Sequence, residues 1–142
     1  DALAKGAKLV TGGRRYEREG LNGAFYEPTV LSHVNESMAV CREETFGPVA
    51  PLISFSTEEE AVAKANDTEY GLASYVFTRD LGRAFRVSES LEYGIVGLND
   101  PLPSVAQAPF GGWKESGLGS EGGHYGMDAF LEVKYISIGL ND

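Results

Sequence analysis

The chain has 142 residues, enough for one compact domain with its own core. With 42% hydrophobic and 23% charged residues it is too apolar for disorder, and 18 glycines imply many turns and close backbone approaches. The 12 Lys+Arg against 21 Asp+Glu leave a net charge of −9, which argues against nucleic-acid and anionic membrane partners.

Cys41 is the single cysteine and cannot form an internal disulfide, which favours a reducing, cytoplasmic setting. His33 and His124 lie far apart, and no Cys/His cluster has metal-ligand spacing. No apolar run approaches the ~20 residues of a membrane span. The opening Asp1-Ala2-Leu3-Ala4-Lys5, with neither Met nor leader, reads as a sequence entered midway through a helix.

In chain order, residues 1–5 suggest a helix end closed by Gly6, and a short strand is expected over 7–10 before the Gly12-Gly13 turn. Phe25–Val34 reads as extended, with Pro28 favouring an edge or a bulge. Val49–Phe55 is an apolar strand. Thr57 and Glu60 then have capping-box spacing and start a helix that ends near Asn66. Leu72–Thr78 is a second strand, and Asp80 caps a second helix with Leu81, Ala84, Phe85 and Leu91 at helical spacing. Gly94 breaks that helix before a third strand, Ile95–Leu98. Strand–helix–strand–helix–strand with short connections predicts an α/β fold with a parallel sheet covered by helices. Residues 99–123 form a Gly/Pro/Ser-rich loop without a period, followed by a short helix near 123–129 and a last strand, Phe130–Ile138.

Within that loop, Gly117-Leu118-Gly119-Ser120-Glu121-Gly122 has GxGxxG spacing. A dinucleotide fingerprint needs a buried strand directly before it and an acidic residue about 20 positions later. Trp113-Lys114-Glu115-Ser116 is no such strand and the acidic residue is missing, so the match is accidental.

Glu43-Glu44-Thr45-Phe46-Gly47-Pro48-Val49 is more informative. In an extended segment Glu44 and Phe46 share a face, a carboxylate beside a flat ring, which suits a sugar diol joined to an aromatic base. Pro48 biases Gly47 away from helix. Spacing alone favours the plainer alternative of a solvated Glu44 and a core Phe46.

EETFGPV resembles the EExFGP motif of aldehyde dehydrogenases. Further matches follow in family order: Glu27-Pro28-Thr29-Val30, Ala65-Asn66-Asp67-Thr68 with Tyr70-Gly71-Leu72, Phe77-Thr78-Arg79-Asp80, and Pro109-Phe110-Gly111-Gly112 with Lys114, Ser116 and Gly117. The resemblance covers essentially the whole chain. It implies the C-terminal part of that family's catalytic domain, a three-layer αβα parallel sheet over residues 1–122, with residues 123–142 as a short helix and oligomerisation strand. It also implies an NAD or NADP cofactor, with Glu44 on the nicotinamide-ribose hydroxyls and Phe46 against the nicotinamide, and Phe110 lining the aldehyde tunnel. A homo-oligomer would form through the C-terminal strand, whose unpaired apolar edge would otherwise invite aggregation.

Leu91–Asn99, Gly117-Leu118-Gly119 and Leu131–Tyr135 resemble the succinate-semialdehyde branch, where a serine five residues before the PFGG proline helps bind the substrate carboxylate. That position is Ser104. A hydroxyl is a sound donor to a carboxylate, while a turn residue between prolines is the alternative. Pro101-Leu102-Pro103-Ser104 is more proline-rich than the family's apolar stretch and predicts a stiffer backbone. Ser120 stands where most members carry an arginine that pairs with the glutamate matching Glu132, so interface contacts are expected to be rearranged.

In the family a cysteine thiolate attacks the aldehyde, hydride passes to NAD(P)+ and water releases the acid. Cys41 sits three residues before Glu44 and does not match that nucleophile; it reads as an inert small hydrophobe. The nucleophile, the general-base glutamate and the cofactor domain's Gly-rich turn all match positions upstream of this chain, so no catalytic residue is assigned here. The alternatives are another semialdehyde or an uncharged aldehyde as substrate, or a non-catalytic assembly module.

Overall fold

A computed structural model describes residues 1–20 and 23–140. They fall into two compact units, Asp1–Thr57 and Glu58–Asp142.

The first unit holds a three-stranded sheet of β1 (Lys8–Thr11), β2 (Thr29–Ser32) and β3 (Val49–Pro51), in that spatial order. β1 runs antiparallel to β2, with a register shift between Leu9 and Thr11, and β3 runs parallel to β2. β2 alternates, burying Thr29 and Leu31. Leu31, Ala7, Val34 and Met38 form the core, with Ala2, Val40, Cys41 and Val49 packed against it. Pro28 lies just outside central strand β2 rather than on an edge, so its missing N–H removes no ladder bond. The expected extended runs shorten to three or four residues. The chain's opening is a set of turns ending at Gly6 (φ 99°), with one helical bond from Lys5 N to Asp1 O (3.0 Å).

The two glycines of the 12–13 turn are both left-handed. A Cβ on Gly12 would stand 2.3 Å from the Pro28 carbonyl oxygen, so no other residue lets the strands approach there. Buried Thr29 satisfies its hydroxyl twice, accepting from Gly13 N and donating to Glu27 O, each at 2.8 Å.

The second unit contains α1 (Glu58–Asn66), β4 (Tyr70–Gly71), β5 (Ala73–Val76), α2 (Leu81–Ser90), β6 (Ile95–Leu98), β7 (Trp113–Lys114) and, where a short helix is expected, a short 3-10 helix, Tyr125–Phe130. β5 and β6 pair in parallel across α2, as the strand–helix–strand alternation required, and β4 pairs antiparallel with β7. The Asp80 cap is present, with Arg83 N donating to Asp80 Oδ1 at 2.6 Å. Of the helical stripe, Ala84 and Leu91 are buried while Leu81 and Phe85 stay exposed, because paired strands only two deep leave much of each face uncovered.

The last expected strand, Phe130–Ile138, is not formed. Residues 131–140 make no ladder and every side chain in them is exposed, Val133 by 98%. The alternating pattern is real, but a strand exists only with a hydrogen-bonded neighbour, and this segment has none among the described residues. No described helix is long and apolar enough to cross a membrane.

Candidate functional site

The Glu44–Phe46 stretch follows a 3-10 turn, Ala39–Cys41, whose end is capped by Arg42 N and Glu43 N donating to Ala39 O (2.9 and 2.8 Å). After it, Gly47 N donates to Thr45 O and Val49 N to Gly47 O, both at 2.9 Å, two successive three-residue turns that run into β3. Phe46 sits inside the first of these turns and is 98% exposed. The plain reading of a core phenylalanine therefore does not hold for this chain. Glu44 is exposed as well, and its carboxylate has no hydrogen bond or ion pair among the described residues. The backbone is tied down and both side chains are left unengaged.

Cys41 packs against the core cluster of this unit. Burial pushes its thiol above the ordinary range, the Glu36 carboxylate adds to that, and Arg42 partly opposes it. A thiol held protonated is a poor nucleophile, in line with its reading as a small apolar residue.

In the second unit Ser104 lies in the irregular run after β6, exposed and without a hydrogen bond among the described residues. Phe110, 37% exposed, forms an isolated antiparallel bridge with Glu121, each N donating to the other's O at 2.7 Å. That bridge explains the accidental GxGxxG. Gly117 and Gly119 are left-handed (φ 119° and 82°), and a Cβ on Gly122 (φ 67°) would stand 2.6 Å from Ala108 O. The glycines let the chain double back onto its own loop, with Gly123 N donating to Ala106 O at 2.9 Å, rather than admitting a phosphate. β7 before them is an exposed two-residue strand.

Two residues quoted in the family strings carry roles that spacing alone did not disclose. Lys114, left-handed at φ 52°, donates from Nζ to Asn66 O (2.9 Å) and Thr68 O (3.1 Å) and pairs with Glu92 Oε2 at 2.6 Å. It places a cation on the carbonyls at the C-terminus of α1, the favourable end for positive charge. Beside it Tyr93 Oη donates to Ala65 O at 2.6 Å; burial raises that phenol, Lys114 lowers it and Glu92 raises it again. Ser116 Oγ accepts from Gly71 N at 2.9 Å. Together these fix the Pro109–Gly112 run from its C-terminal side. The second residue is Asn99, whose side chain grips Thr78 two residues past the end of β5. A helix ending at Asn66 and an asparagine ending a strand were the available sequence clues. Glu132 makes no ion pair among the described residues.

The aldehyde dehydrogenase family matches residues 1–136, and the chain belongs to that family. It is 56% identical over 98% of its length to the 3-sulfolactaldehyde dehydrogenase of Pseudomonas putida, spanning 28% of that protein. It is 55% identical over 99% of its length to the NADP(+) succinate-semialdehyde dehydrogenase GabD of Escherichia coli K12, again spanning 28%. Among solved structures, the succinate-semialdehyde dehydrogenase of Burkholderia pseudomallei superposes with a TM-score of 0.90 at 58% identity, over 96% of this chain and 28% of that one. The chain thus spans little more than a quarter of the length of these relatives.

Proposed function

We propose that this chain is the C-terminal part of an NAD(P)-dependent aldehyde dehydrogenase that oxidises succinate semialdehyde to succinate in the cytoplasm. The observation that carries the reading is the pair Glu44 and Phe46, unengaged on a turn whose backbone is otherwise hydrogen-bonded. The donor set fits a nicotinamide nucleoside. The Glu44 carboxylate can accept from both hydroxyls of a ribose, and the Phe46 ring offers a flat apolar surface beside the base. When bound, the nicotinamide supplies the hydride acceptor, and everything else assigned to this chain is binding and orientation. The nucleophilic cysteine and general-base glutamate are assigned to the remainder of the protein, so the 142-residue chain alone is expected to turn nothing over.

Phe110 would line the path of the aldehyde, and Ser104 would donate to the substrate's far carboxylate. The relatives named for 3-sulfolactaldehyde and succinate semialdehyde support this reading, since both aldehydes carry an anion away from the carbonyl. The uncovered apolar residues of 131–140 support a second role, in which the tail adds as a strand to a neighbouring subunit.

The test uses the intact enzyme. Glu44→Gln is expected to raise KM for the nucleotide about tenfold, the cost of weakening charge-assisted bonds, with KM for the aldehyde unchanged. Ser104→Ala is expected to reduce kcat/KM for succinate semialdehyde but not for butanal. An unchanged nucleotide KM in the first variant removes the cofactor assignment. Equal loss on both aldehydes in the second removes the carboxylate assignment.

A further inference from the structure

Asn99 ends β6 in the left-handed region, at φ 52°, a conformation that asparagine tolerates better than most residues. From there it binds Val76, the last residue of β5, once and Thr78, two residues beyond it, twice. Its own N donates to Val76 O at 2.8 Å, its Oδ1 accepts from Thr78 N at 2.9 Å, and its Nδ2 donates to Thr78 O at 2.9 Å. Both backbone groups of one residue are thereby satisfied by a single side chain. The next residue continues the bracing, since Asp100 Oδ1 accepts from Leu102 N at 2.9 Å, an Asx turn. A Cβ on Gly97 would stand 2.4 Å from Asp100 O, so the chain turns back tightly over β6. Pro101 and Pro103 then fix two of the four φ angles leading to Ser104.

Beyond Ser104 the chain is caught again. Ala108 N donates to Val105 O at 3.2 Å, Gly123 N to Ala106 O at 2.9 Å, and Phe110 is bridged to Glu121. Ser104 therefore stands between two anchored points with few free dihedrals, and its hydroxyl has no bond among the described residues. This irregular run is hydrogen-bonded on both sides of Ser104, and the Ser104 hydroxyl between the two anchors is left unspent.

We infer that Asn99, assisted by Asp100, is a specificity-positioning residue: its clamp on Thr78 sets where the Ser104 hydroxyl stands and so the enzyme's preference for aldehydes with a distal anion. This rests on the assignment of Ser104 to the substrate's far end. Asn99 touches no substrate itself; it removes freedom that binding would otherwise have to remove, which strengthens a single hydrogen bond to the anion.

The experiment measures, in the intact enzyme, the ratio of kcat/KM for succinate semialdehyde to that for butanal. Asn99→Gly keeps access to the left-handed backbone and deletes the clamp. It is expected to lower the ratio about fivefold, the equivalent of one hydrogen bond, through KM for the semialdehyde, with KM for the nucleotide unchanged. Asp100→Ala, which leaves the clamp in place, is expected to lower it by a smaller factor, and it carries the test if the glycine variant does not fold. Equal losses on both aldehydes, or an unchanged ratio in both variants while Ser104→Ala lowers it, overturn the inference and leave the Ser104 assignment standing. An unchanged ratio in Ser104→Ala overturns the assignment and the inference with it.

Discussion

Residues 99–123 hold only the two-residue strand β7 and one isolated bridge, and residues 131–140 no strand at all, yet physically the two stretches are opposites. The first stretch sends backbone or side-chain bonds to β5, β4 and its own far end, through Asn99, Gly123, the Phe110–Glu121 bridge, Ser116 and Lys114. The second makes no backbone bond among the described residues after Leu131 N to Asp128 O (3.3 Å), and its apolar side chains are bare. Irregularity in the loop is a shape fixed by specific contacts. In the tail it is exposed backbone with alternating apolar residues, the features on which the proposed strand addition rests.

The largest expected effect breaks that comparison at the tail. In the intact enzyme, removing residues 131–142 is expected to shift the assembly to a smaller species by sedimentation, because the proposed intersubunit ladder is lost. An unchanged mass would make the tail as self-contained as the loop. Next comes a glycine pair. Gly122→Ala puts a Cβ 2.6 Å from Ala108 O at φ 67° and is expected to cost about 2 kcal/mol by denaturant titration. Gly139→Ala, with nothing within 4 Å, is expected to stay within about 0.5 kcal/mol. Equal costs would erase the distinction between a braced loop and a bare tail.

The smallest effect belongs to neither region and marks what ordinary surface electrostatics contributes. Arg86, by its hydrogen bonds at 2.9 and 3.0 Å, and Arg83 at 3.1 Å hold the Glu58 carboxyl below its usual range, partly countered by desolvation. A lowered folded value means that stability is present above the ordinary carboxylate pKa and lost as pH falls through the folded one. Wild type is thus expected to melt slightly above Glu58→Gln at neutral pH and low salt, the gap closing in acid. A gap that persists well below the carboxylate range would point to packing instead.

Much of the candidate site was legible because its parts are local. Glu44 and Phe46 lie two residues apart, Asp80 caps the helix it begins, and Ile95–Leu98 has the bounds read from its apolar run and Gly94. The family strings pointed to Ser104 and Phe110 without any geometry. The roles of Lys114 and Asn99 were hidden, because each acts on backbone carbonyls or amides 20 to 50 positions away, and backbone groups leave no trace in residue type.

By itself the sequence determined the family, the α/β alternation in its second half and the presence of a tail patterned for pairing. Those properties follow from short-range periodicity, caps and contiguous motifs. Only the tertiary structure decided that Pro28 sits outside a central strand, that the GxGxxG run is a fold-back onto the loop, and that the last segment has no ladder among the described residues. Each of these depends on which distant backbone groups meet, and hydrogen-bond partners across long separations are chosen by packing, not by composition.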